Sequence, residues 1–291
     1  MPTLSPVSRL SLKNILVPTD FSPASRAALP FAECLARTYG STILVAHAIA
    51  PEPHLPVVMD RIPEEEEAVW KDACQRLNTF TRDPGLTAMP WKILLDRGDV
   101  ANVIPEMISQ HAVDLVVLGT HGHRGVSKII LGSEAEKIYR IATCPVLVVG
   151  PKVRLPEWKL RQILCPVDLV EDPGLVLHYA LSLAEEHQSE LIVLKAIPMV
   201  PWQYREETEE RARRELESLI PEQAKDWCSP EYVIRWDNPA ESILHEARTR
   251  DVDLIVMSVH KSRATAWAHL PWPVASEVVS RAPCPVLTVR I

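Results

Sequence analysis

The segment Lys13-Asn-Ile-Leu-Val-Pro-Thr-Asp20 decides the fold, because a near copy, Arg161-Gln-Ile-Leu-Cys-Pro-Val-Asp168, opens the second half of the chain. In each copy a short apolar run ends in Pro-x-Asp. Two further pairs of segments recur in the same order: AVDLVVLGTHGHRG (Ala112–Gly125) with DVDLIVMSVHKSRA (Asp251–Ala264), and CPVLVV (Cys144–Val149) with CPVLTV (Cys284–Val289). Three matched segments in one order indicate a duplicated domain.

The length of 291 residues suits two domains better than one. We expect a first domain over residues 1–150 and a second over residues 160–291. Between them, the proline-bearing stretch PKVRLPEWK predicts a linker over residues 151–159.

Strand and helix patterns alternate within each half. Continuous apolar runs typify strands that are covered on both faces, and their alternation with helices predicts a doubly wound parallel sheet of the α/β class. In the first half, Ser22 is a candidate N-cap with Pro23 at the first helical position, and Gly40 follows as a stop signal. The predicted strands are Asn14–Pro18, Thr42–Ile49, Trp91–Leu95, Leu115–Leu118 and Val146–Val149, and the predicted helices are Ser22–Tyr39, Pro63–Thr81, Val100–Gln110 and Ser133–Ala142.

Composition excludes several classes of partner. The formal net charge is −7 and no run of Lys or Arg occurs, so we expect no nucleic-acid partner. No apolar stretch approaches the length that spans a bilayer, so we expect no membrane partner. The opening MPTLSPVSRLSLKN lacks the features of a secretion signal, which leads us to expect a cytoplasmic location.

Ligands of open parallel sheets bind beyond the carboxyl ends of the strands, at the point where strand order reverses. Thr19 and Asp20 follow the first strand, and a glycine-rich loop from Gly119 to Ser133 follows the fourth. Glycines let a polyanion approach backbone N–H groups closely, and a helix that opens at Ser133 would attract phosphate. The loop lacks the Gly-Lys-Ser/Thr of a Walker motif. The three glycines of interest are Gly119, Gly122 and Gly132.

The spacing Gly119-x2-Gly122-x9-Gly132-Ser133, the VPTDFS opening and the CPVLVV segment together resemble the universal stress proteins in their tandem-domain form. The resemblance covers almost the whole chain. It implies two Rossmann-like, HUP-type domains with five-stranded parallel sheets of order 3-2-1-4-5. It also implies that the fifth strands Val146–Val149 and Val286–Val289 pair, and that the whole chain forms a homodimer.

The resemblance further implies an ATP site in the first domain, often with a divalent cation such as Mg²⁺. Pro18, Thr19 and Asp20 would lie by the adenosine, and the backbone of Ala48, next to His47, would contact adenine. The remaining expected contacts are Gly119 and Gly122 at the ribose, and Gly132, Ser133 and the N–H of Glu134 at the phosphates.

Several of these residues have structural alternatives that the sequence leaves open. Ser133-x-x-Glu136 is also a capping box, and Asp20 could form a turn, since its twin Asp168 survives in the second half. The Glu134 carboxylate repels phosphate unless a cation bridges them. His121 and His123 are a weak metal signal without a third ligand, so we interpret them as loop polarity and predict no metal site in the protein itself.

The second half has lost the glycines of the motif. Ser258-Val-His-Lys261 stands where the first half has Gly119-Thr-His-Gly122, and Trp272-Pro273 falls near Gly132-Ser133. A proline has no N–H, so we predict no triphosphate there. We expect the segment Trp267–Pro273 to fill the crevice or to meet a partner surface.

These patterns favour a nucleotide-responsive stress protein in which ATP, or a related adenine nucleotide, is a regulatory ligand. No catalytic residue is recognisable. Two alternatives remain: a slow ATPase or nucleotidyl-transfer enzyme that uses the same pocket, and an interaction scaffold without a ligand.

Overall fold

The structure is a computed structural model that describes residues 10–50, 63–82, 85–122, 129–130, 133–150, 153, 159–168, 173–197, 201–226, 228–259 and 273–290. These residues divide into two compact units, here called the first and second domains. Their main bodies are Ser11–His121 with Ile130–Pro151, and Lys152–Ile291.

The first domain is a parallel sheet with strand order β3-β2-β1-β4-β7, interleaved with helices. This is the predicted order 3-2-1-4-5, and the α/β fold class is confirmed. Its elements are β1 (Asn14–Pro18), α1 (Pro23–Tyr39), β2 (Thr42–Ile49), α2 (Pro63–Phe80), β3 (Trp91–Arg97), α3 (Val100–Gln110), β4 (Leu115–Gly119), the short pair β5 (His121–Gly122) and β6 (Ile129–Ile130), α4 (Ser133–Ile141) and β7 (Val146–Val149).

The second domain repeats the arrangement, with strand order β10-β9-β8-β11-β12. Its elements are β8 (Gln162–Pro166), α5 (Gly174–His187), β9 (Glu190–Ala196), α6 (Arg205–Leu219), β10 (Glu231–Arg235), α7 (Pro239–Thr249), β11 (Leu254–Val259), α8 (Pro273–Arg281) and β12 (Val286–Arg290). None of the helices in the described part of the chain has the length and apolar composition needed to cross a bilayer.

A carboxylate ties the first strand to the fourth in both domains. Asp114 Oδ2 accepts hydrogen bonds from the backbone N–H groups of Lys13 and Asn14, at 2.7 and 2.9 Å. In the second domain, Asp253 Oδ2 accepts from Arg161 and Gln162 at 2.8 and 3.0 Å. The duplication therefore preserved individual side-chain contacts as well as the order of the elements, as the shared Val-Asp-Leu triplet suggests.

Helix α1 has the ends that its sequence predicts. The Ser22 side chain accepts the N–H of Ser25 at 3.2 Å, and Pro23 occupies the first turn. Gly40 ends the helix in the left-handed conformation, with φ of 68°. Helix α5 ends in the same conformation, but there the residue is Gln188, with φ of 52°. The backbone geometry was thus kept after the glycine was replaced.

Strand β3 is longer than the apolar pattern indicates. It continues past Leu95 because Ala48 and Ile49 of β2 still pair with Asp96 and Arg97. Asp96 and Arg97 are exposed at the edge of the domain's sheet, so pairing continues without apolar side chains. The short β5–β6 pair also lies outside the predicted elements.

Candidate functional site

A cavity of about 240 Å³ lies at the carboxyl ends of β1, β2 and β4 in the first domain. Helices α3 and α4 form its other walls, through side chains that include Val100, Ile104 and Ile138. This is where strand order reverses, the position at which ligands bind in such sheets. Seven of the nine site residues predicted from the sequence line it: Pro18, Thr19, Asp20, Ala48, Gly119, Ser133 and Glu134.

The other two predicted residues belong to the loop that follows β4. Gly122 ends β5, which pairs with β6, and Gly132 lies outside the described residues. Of the two candidate metal ligands, His121 begins β5 and His123 also falls outside the described part. Within that part, no group of three or more His, Cys, Asp or Glu side chains is placed to hold a metal ion.

Thr19 and Asp20, which were predicted to contact the ligand, also form the hydrogen bonds that hold the loop from β1 to α1. The Thr19 hydroxyl lies 2.9 Å from the Ser25 hydroxyl and accepts the N–H of Phe21 at 2.9 Å. The Thr19 N–H donates to the Ala46 carbonyl at 2.8 Å, which joins the loop to β2. Thr19 is buried and lines the cavity, and its hydroxyl helps to hold the loop through its contacts with Ser25 and Phe21.

Asp20 forms a turn at the edge of the cavity. Its Oδ1 accepts the N–H of Ser22 at 2.9 Å, as in an Asx turn. Burial acts to raise the pKa of Asp20, but hydrogen bonds from Ser22 and Ser25 outweigh it and hold that pKa below its ordinary value. Asp20 therefore has the turn role that the sequence left open, and it also lines the cavity.

His47 braces this loop from β2. Its Nδ1 lies 2.7 Å from the Thr19 carbonyl oxygen, which can only accept, so Nδ1 carries the proton. The imidazole packs on Phe21 with ring centroids 4.4 Å apart, and the Arg76 guanidinium covers the other part of the Phe21 ring at 4.2 Å. Burial is the main cause that lowers the pKa of His47, and Arg76 adds to it against the opposing effects of Thr19 and Asp20. His47 is therefore neutral near pH 7.

Phe21 needs this bracing because its backbone is strained. Its φ is 64°, in the left-handed region that a bulky residue rarely adopts. Such a conformation costs about 1–3 kcal/mol and persists only where surrounding contacts hold it. The contacts here are the rings of His47 and Phe80 and the guanidinium of Arg76.

The reason for glycine at position 119 differs from the expected one. A Cβ on Gly119 would lie 1.8 Å from the carbonyl oxygen of Ala24 and 2.6 Å from its carbonyl carbon. The lack of a side chain at Gly119 therefore allows the backbone of α1 to pack closely, whereas we had predicted that it allows a ligand to approach. The residue still lines the cavity, because its backbone forms part of the wall.

The N-terminus of α4 presents Ser133 and Glu134 to the cavity. The capping box is not formed: Glu136 accepts hydrogen bonds from Arg140 at 2.8 and 3.1 Å instead. The Ser133 hydroxyl makes no hydrogen bond to any described residue. Glu134 accepts a hydrogen bond from Lys137 at 3.0 Å, and Lys137 also lies 3.5 Å from Asp99. A cation thus accompanies the carboxylate that would otherwise repel phosphate.

Comparison with known proteins identifies the family. The pattern of the Universal stress protein family matches the chain twice, over residues 11–150 and 159–290. The chain belongs to the universal stress protein family, in a tandem-domain form.

Two curated relatives of this tandem universal stress protein are one domain long. A universal stress protein encoded in the 3′ region of a QAH/OAS sulfhydrylase in Thermus aquaticus is 32% identical over 144 residues, which cover 98% of it and 47% of this chain. Universal stress protein A homolog 1 of Coxiella burnetii is 30% identical over 147 residues, which cover 97% of it and 48% of this chain.

A solved structure of full length shares the fold. It is a universal stress protein from Archaeoglobus fulgidus, with a TM-score of 0.67 at 18% identity, covering 95% of this chain and 98% of that one. At this identity the match supports the architecture alone.

The second universal stress domain also has a cavity at the carboxyl ends of its strands, of about 280 Å³. Asp168 lines it, as Asp20 lines the first, and Lys195 occupies the place of His47. Lys195 Nζ lies 3.0 Å from Asp168 Oδ1. The segment expected to fill this crevice, Trp267 to Trp272, lies outside the described residues; Pro273 begins α8.

Sequence reasoning missed three contributors to the first site. Ser25 and His47 support Thr19, and Lys137 accompanies Glu134. The Ser22-x-x-Ser25 spacing at a helix start signals a capping role for Ser25, and Glu134-x-x-Lys137 is a recognisable i,i+3 pair. No local signal links His47 to the Thr19 carbonyl.

Proposed function

We propose that the first domain binds an adenine nucleotide, with ATP as the leading candidate, as a regulatory ligand of a stress protein. The observation that carries the proposal is that seven residues, chosen from the sequence on three separate strands and one helix, line a single cavity. The parallel sheet brings the ends of these strands to one edge, and the start of α4 adds Ser133 and Glu134 to the same cavity, where a helix N-terminus favours an anion.

The chemistry of the cavity suits a nucleoside at one end and phosphates at the other. Val100, Ile104 and Leu118 provide an apolar wall for a base. Its volume of about 240 Å³ is below the usual range for ligand pockets of about 300–1,000 Å³, so we assign it the nucleoside. The phosphates would then extend along the start of α4, where unpaired N–H groups and the helix dipole favour anions.

We assign the nucleotide a regulatory role, in keeping with the lack of a recognisable catalytic set in the sequence. We assign His47 to the support of the loop, because it donates Nδ1–H to the Thr19 carbonyl and packs on Phe21. The proposal includes Mg²⁺ as a companion of the phosphates, since Mg²⁺ commonly binds through phosphate oxygens and one or two carboxylates. We also expect a homodimer in the cytoplasm.

The test is calorimetric titration of the full chain with ATP, with and without Mg²⁺. Ala135 lies on the cavity wall in α4, so Ala135→Leu fills the site and should weaken binding at least about tenfold. Ala275→Leu makes the same change at the matching position of α8 and should leave ATP affinity unchanged. Equal affinities in all three proteins would refute the assignment. Release of many phosphates per chain would instead support the enzyme alternative.

A further inference from the structure

The two cavities occupy the same place in their domains but differ in the side chains that line them. Seven polar residues line the first: Thr19, Asp20, Ser22, Ser25, His47, Ser133 and Glu134. Among the described residues, three polar ones line the second: Asp168, Lys195 and Ser258. Apolar side chains such as Val167, Ile243, Met257 and Val274 form the rest of its described wall.

Individual replacements show where polarity was lost. Val167 follows the proline that ends β8, as Thr19 follows the one that ends β1. Val274 is the second residue of α8, as Glu134 is of α4. Both valines line the second cavity. Helix α8 also begins with Pro273, which has no N–H to offer an anion. Pro273 thus removes a backbone N–H that a polyphosphate could use, and the two valines place hydrocarbon where the first cavity has polar side chains.

Among the described residues, Lys195 is the cation that lines this cavity. The Lys195 side chain is only 16% exposed, and Asp168 Oδ1 is its one hydrogen-bond acceptor in the described part of the chain. An ammonium group has three N–H donors, so two of them have no acceptor among the described residues. The Ser258 hydroxyl lies at the same cavity and makes no hydrogen bond to a described residue.

We infer that the second cavity binds a small, mainly apolar molecule whose single polar end is an oxygen acceptor, such as an aliphatic monocarboxylate. The hydrocarbon part contacts the wall formed by Val167, Ile243, Met257 and Val274. The oxygen end accepts hydrogen bonds from Lys195 and Ser258. A single anionic end is favoured over a polyanion, because Asp168 already neutralises part of the Lys195 charge. This inference is independent of the nucleotide proposed for the first domain.

The experiment is titration of the full chain with octanoate, followed by calorimetry at pH 7.5. Lys195→Met keeps the length of the side chain but removes its donors, and should weaken octanoate binding at least about tenfold. Ala275→Leu fills the cavity and should weaken binding as strongly. Ala135→Leu, the matched change in the first domain, should leave octanoate affinity unchanged. Octylammonium, which offers donors instead of acceptors, should bind much more weakly than octanoate.

The inference fails if the wild-type chain binds no octanoate at millimolar concentration. It fails also if octylammonium binds as well as octanoate, or if Ala135→Leu alone abolishes binding, which would place the ligand in the first domain. Thermal unfolding of each variant establishes that it is folded. Should Ala275→Leu prove unfolded, Lys195→Met decides the outcome, because its side chain lies at the end of β9, where a methionine can take the same path.

Discussion

The carbonyl oxygen of Ala24 lies 1.8 Å from the point that a Cβ on Gly119 would occupy. The first turn of α1 therefore rests directly on the end of β4, and only glycine permits that distance. In the second domain Ser258 stands at the matching position, and α5 begins eight residues after Pro166, whereas α1 begins five residues after Pro18. The later start of α5 is consistent with tolerance of a side chain there.

We expect Gly119→Ala to destabilise the first domain by about 1–3 kcal/mol or more, because the added methyl meets backbone that cannot rotate away. Denaturant unfolding of the full chain would measure this loss of unfolding free energy. Ser258→Ala is the matched control and should change stability by less than about 1 kcal/mol. If Gly119→Ala were as stable as the wild type but bound ATP more weakly, glycine would be needed at this position for the ligand and not for the packing of α1 against β4.

His47 should make the loop from β1 to α1 sensitive to pH. The folded state holds the pKa of His47 below its ordinary 6.5, chiefly through burial. As the pH falls through about 6.5, the unfolded chain gains a proton that the folded chain resists, so stability is greatest above that pH and declines below it. The protection factors of the Thr19 and Phe21 amides, which compare the observed exchange with the intrinsic rate at each pH, should therefore fall between pH 7.5 and 5.5.

His47→Gln should remove most of that loss of protection. The charged groups that act on this imidazole are Arg76 from α2 and Asp20 from the loop, and both stay in place. His187 of the second domain has its pKa lowered by burial as well, so His187→Gln is the control and should leave the protection factor of Thr19 as it is in the wild type. A fall in protection on acidification that is as large in His47→Gln as in the wild type would show that another group is responsible.

Glu134 should oppose the triphosphate when no divalent cation is present. Its side chain lies at the start of α4, 3.0 Å from Lys137 Nζ. Removing one like charge at about 4 Å in water is worth about 1 kcal/mol, so Glu134→Gln should raise ATP affinity roughly fivefold without Mg²⁺ and less with it. Glu136→Gln, on the same helix but paired with Arg140, is the control. Weaker ATP binding by Glu134→Gln would indicate that the carboxylate holds the cation.

The second domain should depend on a buried carboxylate. Glu246 is fully buried and accepts hydrogen bonds from Arg235 Nε at 2.6 Å and Arg250 Nε at 2.7 Å. Removing its charge leaves Arg235 without this carboxylate and leaves Arg250 with Glu231 alone, so Glu246→Gln should destabilise that domain by roughly 3 kcal/mol. Glu210→Gln breaks only an exposed pair with Arg214 and should cost less than about 1 kcal/mol. Denaturant unfolding of both variants measures the difference, and equal unfolding midpoints for Glu246→Gln and Glu210→Gln would contradict a stabilising role of Glu246.

The left-handed ends of α1 and α5 offer a reciprocal pair of substitutions. Gln188 holds φ of 52° at a cost of about 1–2 kcal/mol, so Gln188→Gly should stabilise the second domain by up to about 1 kcal/mol. Gly40→Ala should destabilise the first by a similar amount, although a Cβ there meets nothing within 4 Å. Differential scanning calorimetry measures both, and a loss of stability in Gln188→Gly would show that the Gln188 side chain contributes contacts.

Most of the fold could be predicted from local patterns. Strand β7 is buried throughout and β1 is buried from Ile15 onward, so their apolar runs end where the strands end. The edge strand β3 runs two residues further, since pairing with β2 needs only backbone groups there. The cap of α1 was predictable because Ser22, Pro23 and Gly40 each have a local conformational reason.

The sequence could predict which residues line the candidate site, but not what each of them contacts. Residues that follow parallel strands must gather at one edge, which is why Thr19, Asp20 and Gly119 line one cavity. Their contacts depend on partners distant in sequence: Gly119 on the backbone of Ala24, and Thr19 on His47, 28 residues away. No pattern within a single segment contains that information.

The paired ties of Asp114 and Asp253 bear on how such a chain can evolve. Each copy has its own hydrogen bonds between its first and fourth strands, so a newly duplicated domain would not have depended on the original domain for them. Selection could then keep the ligand specificity of one domain while that of the other changed.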